Sequence, residues 1–511
     1  MLVKTYSSSV IGIDATTITI EVNLGQGINF FLVGLPDSSV KESHLRIKAA
    51  FANNNLKFPQ REVTINMAPA DIRKEGAVFD LPIAIGVLAV SEQVNSAHLE
   101  SFQLMGELSL DGKLQPVKGI LPMVLQAKKE GFKSIILPVE NAQEAAVVDG
   151  LDIYGMNSLR EVVDFFNGEL SLEPTKIDIE STFNQMLDEF EVDFKDVKGQ
   201  QKIKRAFEIA ASGGHNVVLI GPPGAGKSML AKRLSTILPP MSLDEALETT
   251  KIHSVAGKIK SKGLITQRPF RKPHHSISDT ALVGGGTFPQ PGEFSLAHNG
   301  VLFLDELPEF KRSALEVMRQ PLEDRVVTIS RAKYTIDFPA GVMLIGAMNP
   351  CPCGYFNHPD KECSCNQGAV RHYLNKISGP LLDRIDLHIE VTPVSFEELA
   401  MEQDGENSKN IRERVIKARL FQQHRFSENK GIYCNAQMGS KQIKEHCKLS
   451  EESKTILKNA MDKLGLSARA YDRILKVART IADLEQETVI GTQHIAEAIQ
   501  YRNLDRMNWG S

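Results

Sequence analysis

The chain has 511 residues, more than one hydrophobic core accommodates, so about two to four domains are expected. With 42% hydrophobic and 24% charged residues it is not a disordered chain, and a net charge of −4 excludes meeting nucleic acid through bulk charge, leaving only local basic patches. The apolar run Leu81 to Val90 is too short to span a bilayer, and Met1 to Tyr6 lack an apolar signal core; six scattered or clustered cysteines do not make a disulfide framework, so a cytoplasmic protein without a membrane partner is expected.

Residues 1–170 alternate strand-like and helix-like stretches. Ile18 to Val22 and Val63 to Met67 alternate apolar and polar side chains as half-buried strands do. Helices are predicted over 39–54, 81–93, 118–130 and 158–167, which makes an α/β domain. Residues 171–192 are acidic and poorly periodic and read as a linker. A second α/β domain runs from 193 to 394, and 395–511 are mostly helical, with apolar residues at helical spacing over 442–449, 451–464, 468–485 and 492–502.

The strongest local signal lies at 216–228. Asn216 to Ile220 is a short apolar, β-branched run. Gly221-Pro222-Pro223-Gly224-Ala225-Gly226-Lys227-Ser228 then matches G-x-x-x-x-G-K-[ST] in full, and Met229 to Ile237 reads as a helix. This order is what phosphate binding needs. The glycines let backbone N–H groups curl inward, and the following helix N-terminus favours negative charge. Lys227 suits the β- and γ-phosphates and Ser228 suits Mg²⁺, so ATP and Mg²⁺ are the expected ligands.

A basic stretch follows, from Gly257 to Lys262 and on through Arg268, Phe270, Arg271, Lys272, His274 and His275. It reads either as a solvated face or as a DNA contact. Val301 to Leu304 is a buried strand ending in Asp305 and Glu306. Asp305 suits the water shell of Mg²⁺ and Glu306 suits polarising the attacking water; a solvated acidic turn is the bland alternative. Val326 to Tyr334 alternates like a hairpin strand, with Arg331 and Lys333 placed to grip a phosphate backbone. A third strand, Val342 to Met348, ends in Asn349-Pro350, where the Asn suits holding water or merely forming a turn.

Cys351-Pro352-Cys353 and Cys363-Ser364-Cys365 follow, with nine residues between the pairs. Four thiolates complete a tetrahedral Zn²⁺ site, although C-x-C is tighter than the common C-x₂-C spacing. His358 is an alternative ligand or a solvated loop histidine. Cys434 and Cys447 stand alone and read as structural.

Several stretches resemble an AAA+ ATPase of the magnesium-chelatase-like branch and, within it, the ComM/YifB family: Phe270 to Ser276 (FRKPHHS), Leu282 to Gly286 (LVGGG), Pro291 to Gly300 (PGEFSLAHNG), Gly379 to Asp386 (GPLLDRID) and Ser467 to Ala470 (SARA). The resemblance covers nearly the whole chain. It implies a multidomain α/β protein with a P-loop AAA+ core and a C-terminal helical lid. It implies Asn349 as sensor 1, Arg384 as an arginine finger, Arg469 as sensor 2, and Gly199 and Gln200 beside the adenine. Without it, Arg384 reads as an ion-pair partner of Asp383 or Asp386. A finger acting in trans implies a homo-hexameric ring.

Residues 62–128 resemble the Lon-protease-like α+β fold through Ala68 to Pro82 and Leu114 to Leu121. The Lon serine position falls on Val78 and the lysine position on Leu121, with Lys118 nearby, so the resemblance implies a fold kept and proteolysis lost. The family further implies a DNA helicase or branch-migration motor in recombination or natural transformation. Its partners would be single-stranded or branched DNA, at Arg271, Lys272, Arg331 and Lys333, and recombination proteins. The alternative is a chelatase-type ATPase that remodels a partner protein.

Overall fold

Alternation over Asp14–Gly25 puts Ile18, Ile20 and Val22 on one face, and all three are fully buried. In a computed structural model, the described residues are 2–178, 190–259, 263–286, 288–331, 335–356, 358, 361–394, 405–429 and 431–502. The chain divides into two units, 1–186 with 243–266 and 187–242 with 267–511.

The first unit is built on a mixed seven-stranded sheet in the order Phe30–Val33, Glu62–Ala68, Asp14–Gly25, Leu2–Ile11, Phe102–Leu104, Ser134–Pro138, Asp152–Met156. Helix Asp80–Val90 packs on the sheet with every residue buried, which explains why its sequence shows no polar face. Helices Ser38–Asn53, Ile120–Lys129 and Leu159–Phe166 lie where the periodicity predicts them.

The same unit takes in a segment that sequence order assigns to the ATPase core. Helix Leu243–Val255 packs against helix Ile120–Lys129. Gly119 N–H donates to Ser254 O at 3.1 Å and Leu121 N–H to Ser254 Oγ at 3.3 Å. Lys251 pairs with Asp14 at 3.0 Å, and the Ser254 hydroxyl donates to Glu144. Ser254 thereby supplies acceptors to backbone donors at the helix N-terminus, Leu121 N–H being shared with Glu144 Oε1. The basic stretch at Lys258 therefore belongs to this unit, while Lys260 and Lys262 lie outside the described residues.

The second unit holds a five-stranded parallel sheet in the order Phe270–Arg271, Val301–Leu304, Met343–Met348, Val217–Ile220, Leu387–Glu390. Its central strands are unbroken apolar runs because both faces are covered. A hairpin pairs Val326–Ser330 with Thr335–Pro339. The C-terminal part is helical over Ser408–Arg425, Ser440–His446, Glu451–Leu464, Ala468–Leu484 and Thr492–Gln500. Ala468–Leu484 packs on Gln201–Gly213 and Ser408–Arg425, and Asp483 takes an ion pair from Arg425 at 2.5 Å and one from Arg479 at 3.1 Å.

Candidate nucleotide site

The carboxyl ends of parallel strands are where α/β sheets bind ligands, and here they carry the residues the motifs single out. Strand Val217–Ile220 is wholly buried and runs into the loop Gly221 to Gly226. Gly226 caps helix Lys227–Leu234 with φ +84°, a left-handed conformation that a side chain would strain.

Lys227 Nζ donates to Gly221 O at 2.7 Å, Pro222 O at 2.9 Å and Asn349 Oδ1 at 3.0 Å. Burial pushes its pKa down, with Asp305 opposing. Ser228 Oγ donates to Asp305 Oδ2 at 2.7 Å. Lys227, Ser228, Asp305 and Asn349, spread over 122 positions of sequence, thus meet at one place.

Asp305 Oδ2 also receives Lys272 Nζ at 2.8 Å. Against the upward push of burial, the bonds from Lys272 and Ser228 hold this carboxyl below its ordinary value. A cation already sits on the oxygen that would face Mg²⁺, so the donor set fits a divalent ion and a bound triphosphate. Glu306 begins the next turn with φ +54° and is exposed, with His275 Nδ1 3.2 Å from its Oε2.

Gly199 and Gln200 both have positive φ. Gln200 Nε2 donates to Ala225 O and Thr392 O, each at 3.3 Å, which ties this segment to the phosphate loop. Its Oε1 is buried without a partner among the described residues, an acceptor suited to a nucleotide base donor.

The other expected residues are placed as follows. Arg384 is 6% exposed; its Nη1 donates to Pro380 O at 2.7 Å and its Nη2 meets Glu323 Oε2 at 2.5 Å. Its ion-pair partner is therefore neither Asp383 nor Asp386. Asp386 instead meets Arg473 Nη1 at 3.0 Å and His215 Nδ1 at 3.4 Å. Arg469 is exposed in the first turn of helix Ala468–Leu484.

Arg271 is taken up by a two-point pair with Glu293 at 2.6 and 2.8 Å. Lys272, expected at DNA, lies at Asp305 because Phe270–Arg271 runs beside Val301–Leu304 and the two strand ends meet. Arg331 is exposed, donating from Nε to Gly286 O at 3.4 Å, and Lys333 lies outside the described residues. Sequence reasoning missed Glu323 and Arg473, and it named His275 in the basic stretch without placing it beside Glu306; the pairing of Phe270–Arg271 with the Asp305 strand is the signal that would have found that contact.

The sulfurs of Cys351, Cys353, Cys363 and Cys365 lie within 4.8 Å of one another. Three separations are 3.3, 3.7 and 3.5 Å. In the first unit, Val78 and Leu121 are both buried apolar side chains, and Leu121 N–H donates to Glu144 Oε1 at 3.0 Å. Neither position offers a hydroxyl or an amine.

Three family models match the chain: "Magnesium chelatase, subunit ChlI" over 193–399, "Subunit ChlI of Mg-chelatase" over 20–141, and "Magnesium chelatase, subunit ChlI C-terminal" over 405–502. The chain is 46% identical to competence protein ComM of Haemophilus influenzae over 505 residues, covering 98% of this chain and 97% of that protein. It is 43% identical to the uncharacterized protein YifB of Escherichia coli over 507 residues, with the same coverage. A shorter stretch of 128 residues, 25% of this chain and 23% of that protein, is 27% identical to Lon protease 2 of Bacillus subtilis.

Proposed function

This chain belongs to the ComM/YifB family of magnesium-chelatase-like AAA+ ATPases, and from that premise we propose that it is an ATP-hydrolysing motor that moves strands of single-stranded or branched DNA as a homo-hexameric ring. The observation that carries the hydrolytic part is the meeting of Lys227, Ser228, Asp305 and Asn349 at the ends of adjacent parallel strands. The name of the Haemophilus relative supports a role in competence, hence strand exchange or branch migration on incoming DNA.

In this reading the substrate's phosphates take over Lys227, which leaves the carbonyls of Gly221 and Pro222. Ser228 and Asp305 would hold Mg²⁺, which would supply positive charge to neutralise the phosphates. Asn349 and Glu306 orient one water, and Glu306 accepts its proton as the water oxygen bonds to the terminal phosphorus and ADP leaves. Arg384 offsets charge developing on the phosphoryl group of a neighbouring subunit once it releases Glu323. Cys351, Cys353, Cys363 and Cys365 would hold a structural zinc ion, and recombination proteins would be the partners in the cytoplasm.

The test is the ATP turnover of purified full-length chain with and without forked or four-way DNA. Stimulation by DNA with movement of a labelled strand is the expected result. Absence of DNA binding at low salt with ATP present sinks the DNA reading, and absence of turnover in every condition sinks the motor.

A further inference from the structure

The cysteine cluster sits against the phosphate loop. Cys351 follows Asn349 by two residues and is fully buried. The chain then turns, with Gly354 N–H donating to Cys351 O at 3.0 Å and Gly354 at φ +87°. A β-carbon on Gly354 would fall 2.4 Å from Pro223 Cδ and 2.7 Å from Pro223 Cγ. The turn therefore packs directly on the second proline of the loop, with room for hydrogen and nothing larger.

The cluster has the dimensions of a metal site. A Zn–S bond of about 2.3 Å puts tetrahedral sulfurs ~3.8 Å apart. The separations of 3.3, 3.5 and 3.7 Å lie near that value, and all six cysteines are free. Phe356 N–H donates to Cys351 Sγ at 3.3 Å, the outer-shell bond that orients a thiolate ligand. Cys365 directly precedes Asn366, which caps helix Gln367–Leu374. Four sulfurs thus tie the exit of the Asn349 strand to the start of that helix.

Resting on the zinc reading above, we propose that this knuckle is a metal-set brace for nucleotide binding. By fixing the Gly354 turn on Pro223, it holds Gly221 and Pro222 in the conformation that takes phosphate. It reaches the site by two routes, through Pro223 in the loop and through Asn349, whose Oδ1 meets Lys227. Without the metal, the 351–365 segment loses its cross-link and the loop samples other shapes. Apparent affinity then falls by the fraction of chains still competent, about tenfold if one chain in ten holds the bound shape.

The test uses the full-length chain and two readouts, zinc content by elemental analysis and the Kd for a fluorescent ADP analogue with Mg²⁺ present. Three samples are compared: the native chain, the C363S/C365S variant, and native chain stripped with a zinc chelator, with and without zinc returned. One zinc per native chain is expected, with Kd raised about tenfold or more in the stripped and substituted samples and restored by zinc. Circular dichroism of the stripped chain keeps loss of fold separate, and if C363S/C365S does not fold, the stripped and reconstituted chain decides. Zinc present with Kd unchanged on stripping overturns the brace and leaves the metal site standing. A native chain without zinc overturns both. A native chain that binds no nucleotide overturns the ATPase reading instead.

Discussion

Arg384 Nη2 lies 2.5 Å from Glu323 Oε2, so the guanidinium assigned to a neighbour's phosphate is held within its own subunit. Both residues line a cavity of about 470 Å³ together with Glu316, Arg319 and Asp324. Glu323 is half exposed and Arg384 is buried, so the carboxylate is the partner that can let go at lower desolvation cost. If Arg384 acts in trans, R384A lowers turnover by about 10³-fold while nucleotide affinity holds. E323Q keeps the turnover or raises it. Equal losses in both variants, measured as kcat, would show the pair to be only structural.

Glu306 is the general base of the proposed reaction. Glu306→Gln keeps the shape and removes the basicity, so turnover falls by about 10²–10⁴-fold with ATP still bound. A filter-binding Kd beside the steady-state rate checks both halves of the expectation, and wild-type turnover in this variant removes Glu306 from the mechanism.

Lys272 Nζ holds the same oxygen of Asp305 that would face Mg²⁺ in the proposed reaction. Lys272→Ala should lower the Mg²⁺ concentration that gives half-maximal turnover, by several-fold, since the competing charge is gone. A residue whose role is to grip DNA would leave the Mg²⁺ dependence unchanged and weaken DNA binding instead, which a salt-dependent binding assay separates.

How much of this was legible in the sequence depends on how local each relationship is. Lys227 and Ser228 announce themselves because loop, strand and helix are contiguous. Asp305 and Asn349 are readable because each ends a buried apolar run. The bond of Lys272 to Asp305 was not legible because it depends on which strand lies beside Phe270–Arg271, and periodicity carries no pairing information. Glu323 and Arg384 stand 61 residues apart with nothing in spacing to join them. Helix Leu243–Val255 follows the phosphate-loop helix in sequence, so reading along the chain kept it in the ATPase core.

His215, Asp386 and His388 are buried in the second unit. Burial lowers the pKa of both histidines, so each is neutral when folded and takes up a proton more readily when unfolded. Burial works upward on Asp386, but Arg473, then His215, hold it below the ordinary carboxylate range. The signs agree: stability rises with pH wherever the unfolded chain binds more protons. Stability should therefore decline as pH falls below about 6.5, from the histidines, and again below about 4, from Asp386. Urea midpoints measured from about pH 8 to about pH 2 check this, and a flat profile would sink it. Asp386→Asn, which strips the buried partner of Arg473, should cost about 3–5 kcal/mol.

Residues 1–186 expressed alone lack helix Leu243–Val255, and with it the acceptor that Ser254 provides for Gly119 N–H. Such a fragment should give a broad or low-temperature melt, and fusing 243–266 to its end through a flexible linker should sharpen and raise it. A fragment that melts as cooperatively as the fusion would refute the dependence.

That segment also fixes an order of events during synthesis. The N-terminal unit is not complete when its first 186 residues leave the ribosome, because its last helix ends only at Val255 and its last residues at Thr266. At ~5–20 residues per second, the wait for those 80 further residues (266 − 186) is roughly 4–16 s. During that interval the phosphate loop and its strand have already emerged. The two units are therefore not made one after the other: the first is finished from within the second, and a nascent chain stalled between them exposes an incomplete core to chaperones.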